Sequence, residues 1–418
     1  MNYFKTTIIF KLIIASLITI VGSLVSQKLF AQNEFTFING NYREKLSFKK
    51  VRGLLVISAF INHKGPFNLV LDTGVGLFLI TDPSLRDSLN IENIKKIKIS
   101  GLGAQKDVDA YVTPALFVEI GHTVSPQLPA VILDKDVFDL SAFAGMPVHG
   151  LIGYDFFKSF TVHIFYESAT IDLYLPGRKK NPRKYGKIPI VIEENKPYCI
   201  VKAESSSKKK YILKMLIDTG AGHALSLESY NNHYFPLPNN TISANLGVGL
   251  NGDINGYLGR LKSISLGKYI LKEPICAFPE YKDVGSKTLS VERNGSIGNL
   301  LLKRFNVIFD YDKGFMYLKP NVNQKTAFEH DMSGMELFAG GESFSRIFVN
   351  RVEDNSPAKD VGIQKNDELI AINFRKVTDM SMEEIVSLFH SQDKKSIYLE
   401  YYQSNVLKRG ILTLRRRI

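Results

Sequence analysis

The sequence predicts a mainly β protein built from two homologous barrel-like lobes, followed by a small α+β domain. Three observations carry that prediction: an internal repeat over residues 50–320, short apolar strands with glycine turns in each copy, and a change of composition after Lys319-Pro320. At 418 residues the chain exceeds one ordinary domain. Its 44% hydrophobic and 11% aromatic residues are enough to build cores, which argues against global disorder.

The repeat has four landmarks in one order. Leu71-Asp72-Thr73-Gly74-Val75-Gly76 recurs as Ile217-Asp218-Thr219-Gly220-Ala221-Gly222, an offset of 218 − 72 = 146. Gly101-Leu102-Gly103 recurs as Gly247-Val248-Gly249 at the same offset, since 247 − 101 = 146. Gly150-Leu151-Ile152-Gly153 recurs as Gly295-Ser296-Ile297-Gly298, and Phe160-Thr161-Val162 as Phe305-Asn306-Val307, both at 145. A shared order at a shared spacing means two copies of one structural unit. Lobes are expected at 35–178 and 186–320, joined by the turn-rich, basic connector Pro176-Gly177-Arg178-Lys179-Lys180-Asn181-Pro182. Residues 54–61, 67–71 and 212–217 read as strands rich in Val, Ile and Phe, with a turn at Asn62-His63-Lys64-Gly65. Short helices are expected near 83–88 and 154–157.

The amino terminus reads differently. Lys5 and Lys11 precede the uncharged apolar stretch 12–25, too short for a bilayer-spanning helix but suited to a signal-peptide core. Residues 1–31 are expected to be a signal peptide cut after Ala31, with periplasmic or extracellular delivery; uncleaved, the stretch is a membrane anchor. The net charge of +12 sits in short runs such as Lys208-Lys209-Lys210 and Arg415-Arg416-Arg417, a distribution that does not favour nucleic acid. Cys199 and Cys276 leave open whether they pair. The eight histidines lack metal-ligand spacing, and no metal or other cofactor is expected. Gly247-Val248-Gly249-Leu250-Asn251-Gly252 satisfies GxGxxG, but another turn follows where a dinucleotide site needs a helix.

Each Asp-Thr-Gly follows an apolar strand, where a tight turn begins. If the lobes face each other about a pseudo-twofold axis, Asp72 and Asp218 meet. Two carboxylates that close share one proton. The ionised member then takes a proton from water while the protonated one donates to a peptide carbonyl.

The paired motifs resemble the pepsin and retropepsin superfamily of aspartic proteases, in its retropepsin-like bacterial branch, over residues 50–320. The resemblance implies a bilobal enzyme of retropepsin-like β-barrel lobes with Asp72 and Asp218 as the catalytic pair. It implies that Thr73 and Thr219 lock the lobes and that Gly74 and Gly220 allow the turns. The glycine-rich segments Gly101-Leu102-Gly103 and Gly247-Val248-Gly249 match the hairpins that act as flaps over substrate. Val75 and Ala221 depart from the serine or threonine of pepsin-like enzymes, and the flap tyrosine has no clear counterpart.

In residues 325–418, acidic and basic side chains balance. Ser356-Pro357 starts a short helix ended by Gly362, 367–373 gives a strand and turn, and 382–390 a second helix. The order resembles the bacterial PDZ domains attached to exported proteases, although Asn366 and Phe374 stand where glycine is usual. That resemblance implies a loop and strand at Gly334, Met335, Glu336 and Leu337 that receives a peptide carboxy terminus. The combined expectation is an exported aspartic endopeptidase, active as a single chain on protein or peptide substrates. The alternative is a non-catalytic peptide-binding protein on the same scaffold.

Overall fold

The computed structural model describes residues 34–103, 107–179, 182–231, 233–280 and 291–418. The expected signal peptide lies outside these residues. Among them no helix is long and apolar enough to cross a membrane.

In the first lobe, Leu54–Ile61 and Lys64–Leu71 form a hairpin. Its turn is only Asn62 and His63, both left-handed with φ 48° and 62°, so Lys64 and Gly65 already belong to the second strand. Lys64–Leu71 runs parallel to Gly150–Ile152, which pairs with Phe78–Ile80, which pairs with Thr123–Leu133. Thr123–Leu133 returns to Val108–Ile120, and that long strand closes onto Leu54–Ile61. The second lobe repeats the plan with Lys196–Glu204, Lys210–Ile217, Gly295–Ile297, Leu225–Leu227, Ile275–Pro279 and Gly252–Arg260. Here the circuit is interrupted at Leu261 and Lys262, because the strand that returns to Lys196–Glu204 is the separate Ser263–Leu266. The second lobe is therefore not a closed barrel of continuous strands.

A six-stranded sheet joins the lobes in the order Gly186–Pro189, Phe315–Pro320, Phe305–Asp310, Thr161–Phe165, Thr170–Tyr174, Arg43–Ser47. At its centre Val162 pairs with Phe309 and Ile164 with Val307. These are repeat equivalents, because 307 − 162 = 309 − 164 = 145. The pseudo-twofold axis consequently passes through the His163 and Ile308 pair. Above it Phe157 of the first lobe packs edge-on against Phe309 of the second, ring centroids 5.2 Å apart. Both are fully buried, each contributing about 1.5–3 kcal/mol of hydrophobic stabilisation.

The carboxy-terminal sheet runs Met335–Gly340, Arg346–Val352, Glu368–Ile372, Ser396–Gln403, Val406–Thr413 and encloses its own core. Ser356 caps the helix Pro357–Val361 and Gly362 ends it at φ 86°. Ser381 and Glu384 form a capping box on Met382–Phe389. The preceding connector is held down: Arg304 donates to the carbonyls of Asn323, Thr326 and Ala327 and lies 3.5 Å over the Phe328 ring. Cys199 and Cys276 are buried free thiols, and burial pushes the pKa of each up to about 12.

Candidate active site

The strands Lys64–Leu71 and Lys210–Ile217 end at Asp72 and Asp218, and each aspartate amide donates to the neighbouring short strand, at Ile152 O and Ile297 O. Those short strands are followed at once by Gly153 and Gly298. A side chain at either would overlap a backbone oxygen, Asp72 O or His223 O, so only glycine lets the chain pass behind each loop.

The two loops grip one another. Thr73 Oγ1 donates to Ile217 O at 2.7 Å, and Thr219 Oγ1 to Leu71 O at 2.8 Å. Each hydroxyl also accepts the opposite backbone amide, Thr219 N at 3.0 Å and Thr73 N at 2.9 Å. Both threonines are fully buried. This lock brings the carboxyls together. Gly74 N donates to Asp72 Oδ1 at 2.6 Å, while Gly220 N reaches Asp218 Oδ1 at 3.0 Å and Asp72 Oδ1 at 3.2 Å.

The pair is asymmetric in environment. Asp72 is 8% exposed and Asp218 is partly exposed. Burial, reinforced by the charge of Asp218 and a hydrogen bond with it, holds Asp72 well above the usual carboxylate range, although the Gly74 and Gly220 amides pull the other way. Burial thus favours the protonated form of Asp72 within a pair that shares one proton.

The hairpins extend from both lobes and meet at their tips. Asn251 N donates to Leu102 O at 2.8 Å, and Gly101 N donates to Asn251 Oδ1 at 2.6 Å. Gly103 faces the Asn251 backbone and Gly249 faces Leu102. Gly247 stands apart, at a β-bulge with open space around it. The tips bring together Gly101, Gly103 and Gly249, but not Gly247.

Other groups near the dyad carry no motif. His223 Nε2 lies 3.0 Å from Ser296 Oγ; burial lowers its pKa, and Asp218 opposes that. Burial likewise lowers Lys196, with the dyad carboxyls opposing. Arg293 forms a two-pronged buried ion pair with Glu228 at 2.9 and 3.0 Å. The sequence held one signal for His223: it breaks the repeat, because its counterpart (223 − 146 = 77) is Leu77.

In the carboxy-terminal domain, the amides of Ser333 and Gly334 donate to Asp331 Oδ1 at 3.0 and 2.7 Å. Met335 N donates to Ser333 Oγ, Glu336 Oε1 accepts from Asn350 Nδ2, and Leu337 O accepts from Arg52 Nη1.

Residues 57–156 match the aspartyl protease family model, and residues 325–401 match that of the PDZ domain. No curated protein matches the chain. Among solved structures, the chain is similar to an aspartic proteinase from Irpex lacteus at 12% identity, covering 68% of this chain and 99% of that one with a TM-score of 0.41. It is also similar to a photosystem II D1 C-terminal processing protease at 17% identity, covering 21% of this chain and 23% of that one, TM-score 0.19. The chain spans about a quarter of that processing protease. The matches thus mark an aspartyl-protease-like segment at residues 57–156 and a PDZ domain at residues 325–401 of a mainly β chain.

Proposed function

We propose that this chain is an aspartic endopeptidase with one complete site per polypeptide. The observation that carries this reading is the threonine lock, which sets Asp72 and Asp218 against each other at a junction between two lobes of the same chain. In the resting site Asp72 holds the proton and Asp218 is the base. A water between them loses a proton to Asp218 and attacks the peptide carbonyl, whose oxygen receives a hydrogen bond from Asp72. The tetrahedral intermediate collapses as a proton passes to the leaving amine. Closure of the joined hairpin tips over the site would exclude bulk water and strengthen these interactions.

The uncharged apolar stretch 12–25 supports export, to the periplasm or beyond, with a membrane tether if it is retained. The substrates are proteins or extended peptides, positioned with help from the PDZ domain. Digestion of a peptide library by the wild type and by Asp218→Asn tests the reading. Cleavage by the first and none by the second is expected; no cleavage by the wild type across a broad pH range favours a peptide-binding protein instead.

A further inference from the structure

The turn Arg52-Gly53, between the strands Lys49–Val51 and Leu54–Ile61, touches two things at once. On one side it meets the second aspartate loop. A side-chain carbon on Gly222 would lie 2.9 Å from Arg52 O, and one on Gly53 would lie 3.1 Å from Gly222 Cα. On the other side it enters the PDZ domain. Arg52 Nη1 donates to Leu337 O at 2.8 Å, and Arg52 N donates to Glu383 Oε2 at 2.5 Å. Leu337 belongs to Met335–Gly340, which ends the order of its sheet, and Glu383 to the helix Met382–Phe389. Among the described residues Met335–Gly340 pairs only with Arg346–Val352, so the space along its other edge is where a peptide adds as an extra strand.

The first lobe fills this space with more than Arg52. The helix Leu140–Ala144 packs against the strand Met335–Gly340. A side-chain carbon on Gly145, which follows it, would sit 3.1 Å from Met382 Cβ and 3.7 Å from Ala339 Cβ, between helix and strand. Phe143 stacks under the Arg52 guanidinium at 3.9 Å.

The pseudo-symmetric turn in the other lobe is held differently. There Asn195 donates from Nδ2 to Gly76 O at 3.3 Å, fastening the Glu194-Asn195 turn to the first aspartate loop. The matching second position of the first-lobe turn is Gly53, which has no side chain with which to fasten Gly222. The first-lobe turn is bonded instead to the PDZ domain, through Arg52.

We propose that Arg52 is a positioning residue through which the PDZ domain, its groove occupied by the first lobe, buttresses the loop that carries Asp218. The domain then acts as an arm of the active site, and an outside peptide enters its groove only by displacing that arm. This rests on the peptidase reading for its kinetic consequence alone; the mechanical coupling stands by itself.

The test uses the full chain with Arg52→Ala and Arg52→Lys, read by hydrogen exchange at the amides of 219–222 and by steady-state cleavage of a peptide substrate. In Arg52→Ala the exchange is expected to quicken, and kcat to fall on the order of 10- to 100-fold with KM little changed, as misplacement of a reacting group requires. Arg52→Lys keeps the charge and one donor but not the planar fork, so it should recover part of kcat. If Arg52→Ala fails to fold, Glu383→Ala removes only the acceptor of the Arg52 amide and should give the same pattern more weakly. A folded Arg52→Ala with unchanged exchange in 219–222 overturns the coupling, as does one that raises KM and keeps kcat. A wild type that cuts nothing overturns the peptidase reading, while the exchange data still decide the coupling.

Discussion

Thr73 and Thr219 exchange the same two hydrogen bonds in both directions: each hydroxyl donates across the lobe junction to a carbonyl and accepts the other threonine's amide. Because both are fully buried, water cannot replace a lost partner.

Thr73→Val keeps the shape of the side chain but strands Ile217 O and Thr219 N. An unsatisfied buried group costs about 1–3 kcal/mol, so the loss should be about 2–6 kcal/mol in denaturant unfolding. Thr73→Ser should lose much less, because the hydroxyl remains.

Asp72→Asn and Asp218→Asn should each lower kcat by about 100- to 10,000-fold, and the double substitution little further, since proton-sharing partners act as a unit. Activity should be bell-shaped in pH, with the alkaline limb set by loss of the proton that the pair shares. Chelators should leave it unchanged. Losses that add between the single variants would contradict the shared proton.

The same raised Asp72 has a stability consequence with a definite sign. Below the ordinary carboxylate range both folded and unfolded chains carry the proton, and the group's contribution is fully present. As pH rises the unfolded chain releases it first, and stability is lost until the folded Asp72 also ionises. Asp72→Asn should therefore match the wild type in acid and exceed it in stability near neutral pH. Thermal melting across pH measures this; a variant less stable than the wild type at neutral pH would contradict the burial argument.

Gly220→Ala would drive a methyl into the Asp72 carboxyl group, while Gly74→Ala would put one 2.9 Å from the carboxyl carbon of Asp218, a milder collision. The first should abolish activity in a folded chain and the second impair it less. Circular dichroism paired with kcat separates loss of fold from loss of chemistry.

Asn251→Ala removes the acceptor that ties the hairpin tips to Gly101 N. One hydrogen bond of about 1 kcal/mol corresponds to roughly fivefold, so kcat/KM should fall about that much if tip closure precedes chemistry. Faster hydrogen exchange at Gly101 would accompany it.

The aspartates were legible because the duplication is written twice in the chain. An Asp-Thr-Gly recurring at an offset of 146, after an apolar strand each time, reveals both loops without any coordinates. The strands were legible for the same local reason, as was the helix from Ser356 to Gly362, whose cap and stop are encoded next to it. What breaks the repeat was harder. His223 and Lys196 acquire their importance only where the lobes meet, and nothing in their local sequence says that they face the dyad. The placement of the PDZ domain lay further out of reach. Arg52 and Leu337 are 285 positions apart, and no local pattern pairs them. Sequence alone determined the repeated loops, their strands and the two kinds of domain, because those depend on neighbours along the chain. Tertiary structure decided which carboxyl is buried, which hairpin residues touch and what fills the PDZ groove, because desolvation and contact depend on neighbours in space.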